Sequence, residues 1–540
     1  MTDVLLVQPP IRDYYLTAKR TLPYGLASIA ATLMAHGFTV EILDALATSK
    51  SRLIEAPPEM SGLEKFYGKA DVSPFALFHR FRHFGWSFEH LGRKARDSGA
   101  WLVGISSLFT PYVNEALAAA EAVKRSLPHC AVVLGGHHPT ALPENVLASP
   151  WVDFVLRGEG EASMALLAQN LRDGREVRSV PGIGFRRPDG SLHIDAPAHL
   201  RQLEGLPRPA FELLNHRYYR RRGRTSAVVV ASRGCPLRCS YCSVGAAAWL
   251  PHRLRPVPKV LAEIEWAVTR GGAGFIDFED ENLSLDRDWF LEILGGLTQR
   301  FGAQALELRA MNGLFPPTLD AEVVGAMRRA GFRTLNLSLG SSHPRQLRRF
   351  RRADVRGDFD RALALAEELG MNAVGYIIVG APHQQPEDSV DDLLFLSARR
   401  VLAGVSVFYP APGSRDFDAC RELGLLPGRF GGLRASALPI DHTTRREESA
   451  TLLRLGRVLN FMKHLLDVER PLPPPSHAGL SAIDPANRIE AGRRLLAAFL
   501  ADGRIRGLTP AGEIYEHLVS TEMTDRFLRG LQTRSLKGAT

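Results

Sequence analysis

A repeated alternation of strands and helices limits what this chain can fold into. Six β-rich runs, Ala227–Ala231, Phe275–Phe278, Ala305–Arg309, Thr334–Leu339, Val374–Val379 and Gly404–Tyr409, recur with helical patterning between them. Parallel strands need long crossovers, usually helical. Six such units therefore predict part of a parallel barrel, short of the eight in a full TIM barrel. An earlier series, Val4–Val7, Val40–Leu43, Leu102–Ser106, Ala131–Leu134 and Phe154–Leu156, alternates with helical stretches at Gly25–His36 and Asn114–Leu127. This second α/β rhythm predicts a doubly wound parallel sheet. In both architectures ligands gather where the strands end.

The expected organisation is an α/β domain over residues 1–200, with an aromatic-rich, helical insertion at about 47–100, and a barrel over 205–425. The Pro/Arg-rich connector EGLPRPAFELL separates them. Residues 426–540 lose the strand signal and read as a helical C-terminal domain, with helices at Glu447–Leu466 and Ala486–Ala501. With 45% hydrophobic and 23% charged residues, the 540-residue chain reads as soluble and multidomain. Its apolar runs are strand-sized, far short of the roughly 20 residues of a membrane span. The opening MTDVLLVQPP does not resemble a secretory leader, so a cytoplasmic location is expected. The net charge of +9 includes Arg runs at Arg220–Arg222 and Arg348–Arg352, which read as solvated faces and not as RNA contacts.

Three of the five cysteines lie in RGCPLRCSYCSVG, at Cys235, Cys239 and Cys242, directly after the first barrel strand. The C-x3-C-x2-C spacing lets three thiolates converge from one loop. Structural zinc takes four ligands, and Cys130 and Cys420 are isolated, although a histidine could complete such a site. Disulfides would leave one thiol over. An iron–sulfur cube with three protein thiolates leaves one iron open to bind a small molecule. Cys420 reads as a buried structural cysteine in preference to a radical-quenching or substrate-holding thiol, and Cys130 is assigned no role.

With this loop at the end of the first strand of a partial barrel, the segment from about 205 to 425 resembles the radical SAM enzymes. The resemblance implies a [4Fe–4S] cluster on Cys235, Cys239 and Cys242, with Tyr241 beside the last ligand. The open iron would chelate S-adenosylmethionine, and its reductive cleavage would give a 5′-deoxyadenosyl radical. FEDENL at Phe278–Leu283 is similar to the acidic patch that meets the ligand's ammonium, making Glu279 and Asp280 candidates. ELRAMNGL matches the third strand, with Arg309 placed to face a carboxylate or the cluster. GYIIVGAP resembles the stretch against which adenine packs, implicating Gly375, Ile377 and Gly380. FYPAPGS resembles the sixth-strand turn. One position departs: where relatives commonly read Gly-Ile-Glu-Ser, this chain reads Ser338-Leu-Gly-Ser341. Gly340 thus replaces the glutamate, and the contact falls to Ser338 or to water.

Residues 1–200 resemble the flavodoxin- or Rossmann-like cobalamin-binding domain of one radical SAM subclass. The carrying stretches are VQPP, LPYGLASIAATLMAHGFTVEILDA, VGISSLFT, GGHHPT and RGEGE. They make Ser106, Ser107, Thr110, Gly135, Gly136, His137, His138, Arg157, Gly158 and Glu159 candidate cobalamin contacts. The loop IRDYYLTAKR, where many cobalamin proteins carry a cobalt-ligating histidine, has none. His137 and His138 are therefore expected to line the corrin or its tail without ligating cobalt. Together the resemblances imply a cobalamin-dependent methyltransferase acting on an unactivated centre of a small molecule or natural product, served by a flavodoxin- or ferredoxin-type electron donor. A cobalamin-dependent radical cyclase or oxidoreductase is the alternative. A tRNA or protein methylthiotransferase is disfavoured, because the N-terminal segment has only Cys130. Nucleic acid is not an expected partner.

Overall fold

The computed structural model describes residues 2–15, 22–78, 80–246, 251–434, 436–480 and 483–539. The N-terminal sheet has seven strands: β1 (Val4–Gln8), β2 (Val40–Asp44), β3 (Leu102–Ser106), β4 (Ala131–Gly135), β5 (Phe154–Leu156), β6 (Ile183–Arg186) and β7 (Leu192–Ile194). Strands β1 to β5 are parallel in the order 2-1-3-4-5. This is the flavodoxin-like order, whose switch point lies between β1 and β3. Strands β6 and β7 extend it antiparallel. Alternate residues of β1 divide between two cores: Leu5 and Val7 pack with Val103 and Val132, while Val4 and Leu6 pack with Leu102 and Val133. Burial on both faces explains the near-continuous apolar runs of these strands.

The insertion is less helical than its composition suggested. Ile11–Asp13, Arg82–Phe84 and Ser51–Leu53 form a small antiparallel sheet. Among the described residues, only a 3-10 turn at Pro58–Leu63 and one turn of helix at Glu64–Tyr67 lie between Ser51–Leu53 and the central strand Arg82–Phe84. The helix Phe88–Ser98 belongs to the sheet domain, leading into β3. The aromatic residues serve as core, with Tyr14, Phe66, Tyr67 and Phe81 packed together.

The barrel strands are β8 (Arg224–Val229), β9 (Ala273–Phe278), β10 (Glu307–Ala310), β11 (Thr334–Gly340), β12 (Asn372–Val379) and β13 (Leu402–Val407). They pair parallel as β8-β9-β10 and β11-β12-β13. The bridges Leu308↔Phe332 and Leu314↔Leu337 join the two halves. The C-terminal residues are not an independent unit. Leu452, Leu455, Leu459, Leu495 and Phe527 share the core of Ile276, Leu337 and Ile377. Gly456 allows the helix Arg446–Asp467 to approach β13 closely, since a Cβ there would stand 2.6 Å from Val405 Cγ2. A hairpin of Arg506–Leu508 and Ile514–Glu516 interrupts the helices. Among the described residues, no helix is long and apolar enough to cross a membrane.

Candidate active site between the sheet and the barrel mouth

The cysteine loop leaves the barrel through Ser232–Arg233, which pairs antiparallel with Arg253–Leu254. Gly234 then turns with φ +87° and donates its N–H to Glu281 Oε2 at 3.1 Å. A side chain would strain this turn. Among the described residues none of the three loop cysteines forms a disulfide; Cys239 is buried and the others are partly open. Asn282 Nδ2 lies 4.0 Å from Cys235 Sγ, and Arg352 Nη1 lies 3.9 Å from Cys239 Sγ. Burial raises the Cys235 pKa; the Leu237 backbone and Asn282 oppose this, while Cys242 and Cys239 reinforce it. A buried thiol that resists being anionic, with two more on the same loop, suits a polynuclear cationic centre. No three His, Cys, Asp or Glu side chains among the described residues are gathered for a single metal ion.

Arg352 is the principal residue that sequence reading missed. Its guanidinium donates to Tyr241 Oη at 3.1 Å and to both the carbonyl and hydroxyl oxygens of Ser338. It passes over Gly340, where a Cβ would stand 3.0 Å from Arg352 Cδ. Tyr241 also meets Phe350 edge-on at 5.1 Å. Gly340, at the position read as a missing glutamate, thus accommodates a cation beside Cys239. Composition could not separate Arg352 from its neighbours in the Arg run; packing of Phe350 into the core sets which side chains turn inward.

The acidic patch divides its roles. Asp280 is buried and accepts from Ala231 N at 3.2 Å and from Ser232 Oγ at 2.6 Å, with a further bond from Ser232 N. Burial pushes its pKa up to about 7, against those bonds. Its carboxylate therefore fixes the entry to the cysteine loop and is not aimed at a ligand. Glu279 is the acid left for an ammonium group, and burial, followed by Asp277, raises its pKa. Arg309 donates Nε to Asp277 Oδ1 at 3.0 Å, so that guanidinium is already neutralised by a strand neighbour.

Two adenine candidates face the wrong way for side-chain contact. A Cβ on Gly375 would stand 2.8 Å from Phe359 Cζ and 3.0 Å from Leu396 Cδ2 on the surrounding helices. Ile377, two residues on, shares that outer face and is fully buried in the core. Any contact from these residues is through backbone. The opposite face carries Tyr376, whose hydroxyl donates to Asn336 Oδ1 at 3.2 Å. Gly380 ends the segment at φ +74°.

The cobalamin candidates also separate. Ser107 Oγ is buried without a hydrogen-bond partner among the described residues, and Ser106 and Gly135 are paired neighbours at the ends of β3 and β4. Gly136 has φ +122°, and a Cβ there would stand 2.6 Å from Ser107 O. His137 is solvent-accessible at the end of β4, and desolvation lowers its pKa. Leu108 and Phe109 expose apolar surface from the adjacent loop. An orphan hydroxyl, a glycine turn and apolar walls fit a corrinoid and its tail.

His138 is fully buried, at 3.2 Å from Thr110 Oγ1 and 3.0 Å from Asn145 Oδ1. Burial lowers its pKa to about 4, so it is a neutral structural histidine. Arg157 donates Nε to Thr140 O at 3.0 Å. Gly158 has φ +87° and packs against the Ala198 backbone. Residues 16–20, the second half of the loop after β1 that lacks histidine, lie outside the described residues.

Glu159 joins the domains. It accepts from Arg233 Nη1 at 3.2 Å and from Arg253 at 2.7 and 3.0 Å. Glu161 also accepts from Arg233 and takes a bond from Ser28 Oγ at 2.9 Å. Burial pushes the Glu161 carboxyl up, but Arg233 more than offsets this and holds it below its ordinary value. RGEGE is thus a clamp on the loop two residues before Cys235. Tyr409, beyond β13, faces Thr110, which opposes the burial that raises the Tyr409 pKa. Arg434 lies 3.1 Å from Asp13 and 3.8 Å from Glu115, all three buried. These contacts bring the strand ends of the sheet against the barrel mouth.

Comparison with known proteins agrees with this layout. The Radical SAM superfamily model matches residues 229–396, and the B12 binding domain model matches residues 76–168. The chain is 27% identical over 317 residues to the "Uncharacterized methyltransferase PH0819" of Pyrococcus horikoshii, covering 58% of this chain and 68% of that protein. It is 28% identical over 347 residues to the anaerobic magnesium-protoporphyrin IX monomethyl ester cyclase of Cereibacter sphaeroides, covering 62% and 56% of the respective chains. The solved structure of OxsB, a cobalamin-dependent S-adenosylmethionine radical enzyme with aqua-cobalamin and S-adenosylmethionine bound, is similar in fold. Its TM-score is 0.61 at 15% identity, covering 93% of this chain and 72% of that one. A [4Fe–4S] cluster, S-adenosylmethionine and cobalamin are the cofactors these domains take, and the thiols and strand-end loops fit them. The chain belongs to the radical SAM enzymes that carry an N-terminal cobalamin-binding domain.

Proposed function

We propose that the chain is a cobalamin-dependent radical SAM methyltransferase acting on an unactivated centre of a small molecule. The observation that carries this reading is the clamp: Glu159 and Glu161 of the cobalamin-binding domain hold Arg233, next to the cysteine loop. The two cofactor sites are thereby held against one barrel mouth. When bound, the cluster and S-adenosylmethionine supply a hydrogen-abstracting radical, and cobalamin supplies a transferable methyl group.

In this reading Cys235, Cys239 and Cys242 hold the cluster, with Arg352 steadying Cys239 and Tyr241. Glu279 takes the ligand's ammonium, Ser338 and the Gly375–Gly380 backbone border the rest of the ligand, and Arg309 stays paired with Asp277. Ser106, Ser107, Gly135, Gly136 and His137 contact the corrinoid, while Thr110, His138, Arg157, Gly158 and Glu159 shape its loops. The domains shut water from the space between them, where a free radical would be quenched. A reducing cytoplasm and a flavodoxin- or ferredoxin-type donor complete the requirements.

The similarity to a cyclase favours a second reading, in which the substrate radical closes a ring. Anaerobic reconstitution with iron, sulfide and hydroxocobalamin, followed by product analysis, separates the two. Methyl transfer yields S-adenosylhomocysteine together with 5′-deoxyadenosine, whereas cyclisation yields no S-adenosylhomocysteine. Zinc without iron in the purified protein would refute both.

A further inference from the structure

The Arg run that composition assigned to a solvated face lies against the back of the cysteine loop. Ser240, the residue after Cys239, donates its N–H to Phe350 O at 3.0 Å and its hydroxyl to Arg349 O at 3.1 Å. On its other side Asp416 N donates to Ser240 O at 3.0 Å, and Asp416 Oδ2 accepts from the Ser240 hydroxyl at 2.9 Å. Around this serine stand Arg348, Arg349 and Arg351 of the run, Arg238 of the loop itself and Arg415 beside Asp416, all exposed. None of these five guanidiniums forms an ion pair among the described residues. Most other arginines near them do: Arg345 pairs with Asp388, Arg356 with Asp354, and Arg421 with Asp418. Arg351 is held at φ +51°, a conformation L-residues avoid, at the reversal that sends Arg352 inward.

Asp416 interacts electrostatically with Arg349 and Arg351, but one carboxyl against five guanidiniums leaves a net positive surface, which steers an oppositely charged partner and raises its association rate. Here that surface is one residue and one hydrogen bond from a cluster ligand. We propose that Arg238, Arg348, Arg349, Arg351 and Arg415 form the docking surface for an acidic, flavodoxin-type one-electron carrier. One electron passes from the carrier's flavin hydroquinone, which becomes the semiquinone, to the cluster, which goes from its 2+ to its 1+ state. The inference rests on the radical SAM reading above. It adds the face by which the electron enters.

The test compares the reconstituted wild-type enzyme with R348E/R349E/R351E and with the milder R348Q/R349Q/R351Q. None of these positions is placed in the cluster, ligand or corrinoid site. Binding of oxidised flavodoxin, read by thermophoresis, is expected to weaken at least tenfold in the Glu variant and less in the Gln variant. The wild-type affinity should fall as salt rises. The stopped-flow rate of cluster reduction by flavodoxin hydroquinone should fall in parallel, while reduction by methyl viologen radical cation, which needs no docking, stays within about twofold. Iron content and the electron paramagnetic resonance signal of the reduced cluster should not change.

Unchanged flavodoxin affinity and rate in both variants would overturn the proposal, as would an equal loss of rate with both reductants. Tight RNA binding lost in the variants, with the flavodoxin rate intact, would overturn it in favour of a nucleic-acid face. Failure of the viologen-reduced wild type to cleave S-adenosylmethionine would instead sink the radical reading.

Discussion

Arg233→Met tests whether the cobalamin-binding domain holds the cysteine loop in place. The Arg233 side chain is 15% exposed and its partners Glu159 and Glu161 are 13% and 5% exposed. The loss is asymmetric. Glu159 keeps its two bonds from Arg253, whereas Glu161 loses its one cationic partner among the described residues and keeps the neutral Ser28 hydroxyl at 2.9 Å. Removing one partner of a buried pair costs about 3–5 kcal/mol, because the other charge is stranded. At about 1.4 kcal/mol per tenfold, the open population of the loop should rise roughly 140- to 4,000-fold.

Glu161→Gln should cost less, since Arg233 retains Glu159 and the amide oxygen still accepts. In Arg233→Met/Glu161→Leu no charge is stranded at 161, so the double variant should be better protected than the sum of the single effects by more than about 1.5 kcal/mol. A chain of several domains does not unfold in two states, so the measurement is native-state hydrogen exchange of the peptides spanning 229–243, with iron content after reconstitution beside it. Glu161 also sets a pH dependence. Its folded pKa is depressed, so its contribution is present above the unfolded value of 4.5 and is lost as pH falls. Wild-type protection at 229–243 in Arg233→Met, or strictly additive effects in the double variant, would refute the clamp.

Other outcomes follow from the same geometry. His138→Ala should lower stability by about 3 kcal/mol through two lost buried hydrogen bonds and a cavity, whereas His137→Ala should leave the melting temperature unchanged and weaken corrinoid retention on gel filtration. With its folded pKa near 4 against 6.5 unfolded, His138 makes the wild type lose at most about 3 kcal/mol between pH 6.5 and pH 4, since only the unfolded chain binds the proton there; His138→Asn should flatten that slope. Gly340→Ala, at φ +81° and 3.0 Å from Arg352 Cδ, should cost about 1–2 kcal/mol and alter the cluster's electron paramagnetic resonance signal by displacing Arg352. Cys239→Ala should bind little iron and form no 5′-deoxyadenosine, whatever the reductant.

The strands and the three thiols were legible because each depends on local pattern: continuous apolar runs for strands buried on both faces, and close spacing for ligands that share a loop. What the loops touch was not legible, because it depends on long-range contacts. RGEGE read as a cofactor loop, yet Glu159 and Glu161 bind arginines 74 and 72 residues away. Asp280 read as a ligand acid, but it is consumed by Ser232. Gly375 and Ile377 lie on a recognisable strand, but the face they present is fixed by Phe359 and Leu396 on helices whose docking no strand pattern encodes. The C-terminal helices were visible as helices, but not their membership of the barrel core, because amphipathic periodicity shows that a face is buried without showing against what.

Gly340 shows how a departure from a family pattern becomes interpretable through packing. Taken alone, the missing glutamate subtracts a ligand contact. In the fold, that glycine occupies a left-handed turn and leaves the path along which Arg352 reaches Ser338, Tyr241 and Cys239. A glutamate there would meet the guanidinium first, and pairing with it would draw the charge away from Cys239 Sγ. The small residue and the cation are therefore one substitution in physical terms. The same segment presents Arg348, Arg349 and Arg351 outward and Arg352 inward, so a single turn after β11 brings positive charge to both sides of the cysteine loop.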